Sequence, residues 1–535
     1  MSAETVESVR ADVVVAGGGV GGAMAAVRAA DTGARVLYLS GTGGASARIS
    51  SFNTALGYTE DVDTPEALME DMLRAGKSVN HVPLVRALAH RVADETQRLV
   101  DMGVPFVRNG DRLARRQAAG STWTRAVFSN GMIGADIVQA LMRQLETYDR
   151  ESVVMVRGGL LVDVETVDGA ISGALAYSAR EGRWLKIETR SVVMATGGAG
   201  QLFATTTNPR GSLGSGYAIA LDAGAELMDM EFISFEPFIT SAPAEHAGHD
   251  LPTTVLREGA RLLNGRGEEF LPEQSPTKDI ICRSMVREVM EGRGTESGSV
   301  VFDLTGMDPD VASRYVGIVE ALRKRGIDNR EALLDVMPAQ HYMMGGIRVD
   351  ERGESSIPGL FAVGEACGGA HGAHRLAAGG GFEVVAGGAV VGEAAALMAL
   401  SSSGRREYRG GPRPDLLSSK LPAGYSSDLT VIRESLDAGC GILRNRSDLQ
   451  AAITAIDSVL DRHRGRDEQP FVRRAAEIAS TIARSAEMRE ESRGDHFRID
   501  FPEMRDDWRA NVVLSKDGDD IAFNVVSCPA PTPVA

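Results

Sequence analysis

Glycines mark where this chain can approach a phosphate. Gly17, Gly19 and Gly22 stand in the spacing Gly-x-Gly-x-x-Gly, with Gly21 inside the run. In that pattern the first glycine permits a tight turn, the second lets backbone approach a pyrophosphate, and the third lets a helix pack closely on a strand. A second glycine turn, Thr196-Gly197-Gly198, and a third, Gly364 followed by Glu365, lie far downstream. A fourth, Gly379-Gly380-Gly381-Phe382, opens an alanine- and valine-rich helical run. A helix start offers free N–H donors and partial positive charge to an anionic group. Several distant loops touching one elongated ligand suit a dinucleotide.

The dinucleotide reads as FAD rather than NAD. Ser40 stands where many such folds carry the acidic residue that grips a ribose. A serine there weakens the case for NAD. Gly44 is counted with the cofactor-binding set. Glu365 either accepts hydrogen bonds from ribityl hydroxyls or is a surface carboxylate. A flavin ring at Gly380, Gly381 and Phe382 would place the helix start beside N1 and C2=O, where negative charge develops on reduction.

The surrounding elements fit this use. Residues 11–16 (ADVVVA) form a β-branched run before the first glycines, residues 23–30 an alanine-rich helix, and residues 34–39 (ARVLYL) the second strand of a βαβ unit. Residues 64–103 have apolar positions at helical spacing. Residues 153–164, 171–177, 185–189 and 191–195 read as strands, the last leading into the second glycine turn. The character changes over residues 235–340, an inserted domain, and turn, strand and glycine return at 357–365. A Ser/Gly/Arg/Pro-rich linker follows residue 400, then amphipathic helices near 432–443 and 449–464, and a proline-bearing tail from 528.

Composition narrows the function. In 535 residues, 57 Lys and Arg face 73 Asp and Glu, and the net charge of −16 opposes nucleic acid or an anionic membrane surface. Cys282, Cys367, Cys440 and Cys528 form no Cys-x-x-Cys pair, so no metal site or iron–sulfur cluster is expected. No apolar signal region opens the chain, and charges interrupt every long apolar run, so a cytoplasmic protein without a transmembrane segment is expected.

The ordered series ADVVVAGGGVGG, VVMATGGAGQLF, NPRGSLGSGYAIALDAGAEL, HYMMGGIRVDERGESSIPGLFAVGEACGG, HGAHRLAAGGG and ESRGDHFRIDFPEMRDDW resembles the flavoprotein family of succinate dehydrogenase, fumarate reductase and L-aspartate oxidase. The resemblance spans nearly the whole chain. Ser40 and residues 65–106 are most similar to the aspartate oxidase branch. The fold it implies is α/β: a Rossmann-like FAD-binding domain (1–234 and 341–402) interrupted by an α+β capping domain (235–340), followed by a helical C-terminal domain and tail (403–535). Residues 43–53, where succinate dehydrogenases carry the histidine that binds flavin covalently, contain none. Non-covalent FAD is therefore expected.

The resemblance also assigns substrate residues. His341 and Arg375 match the family pair that holds a substrate carboxylate, as a bidentate arginine contact can. Where the family has a His-Pro-Thr element, this chain reads Glu236-Pro237-Phe238. A cation-capable ligand and a hydroxyl are lost, which puts a second carboxylate in doubt. Lys278, before Asp279, aligns with the family's proton-shuttling arginine, and Arg283 retains a later one. Lys278 is either the proton carrier or an exposed helical lysine. Glu236 either binds an ammonium group, acts as a base, or caps a turn.

The expected activity is FAD-dependent hydride exchange with a small carboxylate or amino acid, as dehydrogenation or alkene reduction, with aspartate-oxidase-like amino-acid oxidation as the alternative. A flavin-binding electron-transfer subunit without turnover is the third reading, against which His341 and Arg375 weigh. Oxygen, a quinone or a partner protein are the candidate electron acceptors.

Overall fold

The computed structural model describes residues 5–41, 44–58, 62–242, 248, 250–251, 253–272, 277–306, 326, 333–402, 408–417, 425–463, 470–518 and 520–529. Part of the expected linker (403–407) and most of the tail (530–535) lie outside these residues.

At the centre is a five-stranded parallel sheet ordered Leu360–Ala362, Ser191–Met194, Val13–Ala16, Val36–Ser40, Val153–Arg157. Its inner strands are continuous apolar runs because helices cover them. The two strands that end in glycine turns, Val13–Ala16 and Ser191–Met194, are direct neighbours, and Leu360–Ala362 lies beside the second. Segments far apart in sequence thus deliver three turns to one end of the sheet. A second sheet, Val6–Arg10 with Arg183–Glu188, Ala170–Ser178 and Gly159–Val167, flanks it. The Val6–Arg10 strand is largely exposed and has little apolar alternation, so nothing in the sequence marks it.

Helix Val20–Asp31 crosses helix Gly379–Ser401 at close range. A Cβ on Gly392 would lie 2.3 Å from the Ala25 carbonyl oxygen, so glycine sets the approach. By length and composition this 23-residue helix is apolar enough to cross a membrane, although Glu383 and Glu393 interrupt the run. In the fold its apolar face is buried against the sheet and its neighbouring helices.

The segment between the two halves forms an antiparallel sheet, Ile233–Ala242, Leu333–Met343, Val300–Asp303 and Arg261–Leu263, with helix Lys278–Met290 against it. It has its own apolar cluster around Phe238, Leu262, Ile281, Phe302 and Val336. Three helices follow later, Tyr425–Gly439, Arg446–His463 and Pro470–Met488. Their apolar faces join the main cluster rather than forming a separate one. After the helices, Ala510–Asp517 and Asp520–Ser527 form a hairpin paired with Leu227–Met228, which in turn pairs with Gly346–Ile347.

Candidate active site

The glycine turns and the cap face one cavity of about 1470 Å³. Gly17, Gly19, Gly21, Gly44, Thr196, Gly197, Glu365, Gly380 and Gly381 line it, as do Glu236, Lys278, His341 and Arg375. Gly22, Ser40, Gly198 and Phe382 stand behind the wall. Gly22 packs on Gly17, Gly198 sits under Glu365, and Phe382 is fully buried. Ser40 ends its strand with its carbonyl accepting the Gly158 N–H at 2.8 Å.

The cradle fits a bound diphosphate. Gly17 has φ +134°, and a Cβ there would lie 1.9 Å from the Ala195 carbonyl oxygen. Only glycine tolerates both conditions. Helix Val20–Asp31 starts without a side-chain cap and without an acid in its first turn, which leaves its N–H groups facing the cavity end. Helix Gly379–Ser401 starts the same way, after Ala378 at φ +60°. A left-handed alanine is uncommon and needs support. Asn53 supplies it, donating from Nδ2 to the Ala377 carbonyl at 2.8 Å. The Thr196 hydroxyl is buried without a hydrogen-bond partner beside this cradle. Glu365 is no surface carboxylate: it is buried, accepts the Met343 N–H at 3.0 Å, and is pushed up to about 7 chiefly by burial.

The opposite wall carries the polar side chains. Strand Ile233–Ala242 brings Glu236, strand Leu333–Met343 brings His341, and helix Lys278–Met290 brings Lys278 from its first turn. Lys278 Nζ lies 2.5 Å from Glu236 Oε2, and His341 Nε2 lies 4.0 Å from the same oxygen. Burial pushes the Glu236 carboxyl up, but the charges beside it, Lys278 first and Arg375 with it, outweigh burial and hold it below its ordinary value. His341 is pushed down to about 3, first by burial, opposed by Glu236, and further by Arg375, Lys278 and Arg48. It is therefore a neutral imidazole, and its Nδ1 lies 2.9 Å from the Thr207 hydroxyl. Arg375 stacks its guanidinium 4.8 Å from the centre of the Tyr342 ring, and its Nε is buried without a hydrogen-bond partner. Tyr342 in turn donates to Glu383, which His371 Nε2 approaches at 2.9 Å.

Phe238 lies away from the cavity. Pro237 lacks an N–H, and pairing jumps from Glu236–Ala339 to Ile239–Met337, a one-residue bulge. Glu236 faces the cavity while Phe238 is buried in the cap, its ring centre 4.5 Å from that of Phe302. The phenyl ring therefore does not shape the substrate wall; Thr240 and Thr253 line it instead. Arg48, Thr207 and Asp250 also line the cavity, and no local motif marks them, because they reach the site through tertiary contacts. Asp250 opens onto the cavity, yet the protein around it displaces much of its water. That desolvation and the nearby Glu236 push its carboxyl up to about 7, against the pull of Lys278 and Arg48. Arg48 donates to the Thr207 carbonyl at 2.5 Å, joining two of the three.

A glycine cradle for a dinucleotide, open at one end to an arginine–histidine anion site, defines a flavin-dependent oxidoreductase. The FAD binding domain model matches residues 12–380, and the model for the fumarate reductase flavoprotein C-terminus matches residues 470–530. A chain of the CoM/CoB fumarate reductase of Methanothermobacter marburgensis is 31% identical, over 94% of this chain and 97% of that one. The L-aspartate oxidase of Streptomyces coelicolor is 31% identical, over 96% of this chain and 92% of that one. Among solved structures, Mycobacterium smegmatis Sdh1 in complex with UQ1 superposes with a TM-score of 0.87 at 26% identity, covering 98% of this chain and 96% of that one. The chain belongs to the FAD-dependent flavoprotein family of the succinate dehydrogenases, fumarate reductases and L-aspartate oxidases, and its cofactor is FAD.

Proposed function

We propose that this flavoprotein oxidises a small amino-carboxylate to the corresponding imine. The observation that carries this reading is the pairing of an arginine–histidine anion site with Glu236, an ionised carboxylate where the family's His-Pro-Thr element would offer a cation and a hydroxyl. A second substrate carboxylate at Glu236 would meet like charge, whereas an ammonium group would meet an acceptor.

Arg375 holds the substrate carboxylate, its guanidinium fixed by the Tyr342 ring. Neutral His341 contributes a hydrogen bond to the same end without adding charge. Glu236, kept ionised by Lys278, receives the amino group. Asp250, with a carboxyl near 7, takes the proton that the ammonium must lose before its carbon can surrender a hydride. FAD supplies the hydride acceptor at N5 and binds non-covalently. Oxidation thus removes a hydride from the α-carbon and one proton from the ammonium nitrogen, leaving a protonated imine that water hydrolyses to an oxo acid and ammonium.

Dehydrogenation of a carboxylate without an amine is the second reading, favoured by Lys278 at the cavity wall. Its ion pair with Glu236 must break before it can carry a proton. The L-aspartate oxidase relatives support the first reading and an oxygen acceptor, while the relative solved with UQ1 supports a quinone.

The test is anaerobic titration of the yellow protein with L-amino acids, succinate and monocarboxylates. Bleaching by one or more amino acids supports the proposal. Bleaching by succinate but by no amino acid overturns it.

A further inference from the structure

Three side chains from three separate segments converge behind the cavity wall. Asp279 lies in the first turn of helix Lys278–Met290, His374 in the loop before Arg375, and Asp495 in the loop after helix Pro470–Met488. One ligand-capable atom from each lies within 4.8 Å of the others. His374 Nδ1 is 2.9 Å from Asp495 Oδ1. The other oxygen, Asp495 Oδ2, is buried without a hydrogen-bond partner in a residue only 9% exposed. A buried anionic oxygen left unpaired is costly, and this one sits in a cluster that already offers an imidazole and a second carboxylate.

One imidazole and two carboxylates match the donors that zinc-type ions take, and such ions hold nitrogen and oxygen ligands at about 2.0–2.2 Å. A bound ion would draw the three ligand atoms closer together than this 4.8 Å spacing. Asp279 also accepts from Arg283 at 2.7 Å and from the Thr277 hydroxyl. Three cations stand around the cluster, Arg283 on Asp279, Lys77 near His374 and buried Arg444 near Asp495, so a bound ion competes with them for the two carboxylates.

We propose that Asp279, His374 and Asp495 bind a divalent transition-metal ion of zinc type that ties the cap helix to the body of the protein. Asp279 adjoins Lys278 and His374 adjoins Arg375, so the ion sets the spacing between the two walls of the substrate cavity. This site does not depend on which substrate the cavity takes. Its chemistry is structural: the ion gains no electrons and needs no open position.

The experiment is calorimetric titration of tag-free, FAD-loaded protein with zinc chloride, with hydrogen exchange of the Lys278–Met290 helix followed in parallel. One zinc per chain is expected, with binding weakened by about tenfold or more in Asp279→Asn, His374→Asn and Asp495→Asn. Zinc should slow exchange of the helix in the unmodified protein and not in Asp279→Asn. Asp279→Asn alters only a partly exposed cap position, so it carries the test if either buried variant fails to retain FAD. Equal affinity in Asp279→Asn and the unmodified protein, or no uptake at millimolar zinc, overturns the proposal.

Discussion

The Lys278 ammonium meets the Glu236 carboxylate at 2.5 Å across the joint between the cap's helix and its longest strand pair. Glu236 is almost wholly buried and Lys278 is partly open to the cavity. After burial, which raises the Glu236 carboxyl, Lys278 is the strongest influence on it, and it pulls the value down. Replacing Lys278 with Met removes that pull, so the carboxyl rises and ionises only at higher pH. Steady-state kinetics of Lys278→Met should show amine-substrate binding weakened at neutral pH and recovering as pH increases. A uniform loss at every pH would place Lys278 in proton transfer instead.

Asp250 gives a second pH-dependent expectation. Its carboxyl is raised to about 7 by desolvation and by Glu236, so it is protonated below that value and able to accept a proton above it. The rate of flavin reduction should climb between about pH 6 and pH 8. Asp250→Asn should lower the rate by about 10²–10⁴-fold and flatten this limb. Stopped-flow absorbance across that range reads both effects.

Arg375 is expected to carry much of the carboxylate affinity. A charge-assisted hydrogen bond contributes about 1.5–3 kcal/mol, so Arg375→Gln should lower kcat/KM roughly 10- to 150-fold. Lysine at this position keeps the charge but loses the forked contact and the stacking on Tyr342, and should recover only part of the loss. The ratio of bound flavin to protein, read from the visible absorbance, should stay unchanged in both variants.

The cofactor cradle makes a structural prediction. Alanine at Gly17 would need a φ of +134° and a Cβ 1.9 Å from the Ala195 carbonyl oxygen. Gly17→Ala should therefore purify colourless or nearly so. In the unmodified protein, acid precipitation should release all of the yellow colour into the supernatant, because no histidine stands in residues 43–53 to hold it. Yellow colour in the pellet would reveal a covalent link elsewhere.

The legible parts of the sequence are those whose physics is local. A glycine turn between a strand and a helix declares itself within about a dozen residues, so Gly17, Gly19, Gly197 and Gly380 can be placed without a structure. Glu236, Lys278, His341 and Arg375 are located through resemblance and do face one cavity. Phe238 is turned away from the cavity by a single extra residue at Pro237, which reverses which face of the strand looks inward, a shift that the local sequence does not announce. Asp250, Thr207 and Arg48 escape notice because only tertiary folding brings them together. The C-terminal hairpin does leave a signal that the helical expectation overlooks: two alternating β-prone runs flank Asp517-Gly518, a turn-forming pair.

If Glu236 receives an amino group while Arg375 holds a carboxylate, removing the Glu236 charge must penalise one class of ligand and spare the other. Anaerobic binding of the best amino-acid reductant is therefore compared with that of its counterpart lacking the amine, in the unmodified protein and in Glu236→Gln. The substitution is expected to weaken the amino acid by roughly 10- to 150-fold, from a charged hydrogen bond of about 1.5–3 kcal/mol, and to leave the amine-free compound within about threefold. Equal weakening of both ligands, or tighter binding of a dicarboxylate without any loss for the amino acid, would show that Glu236 does not receive the amine.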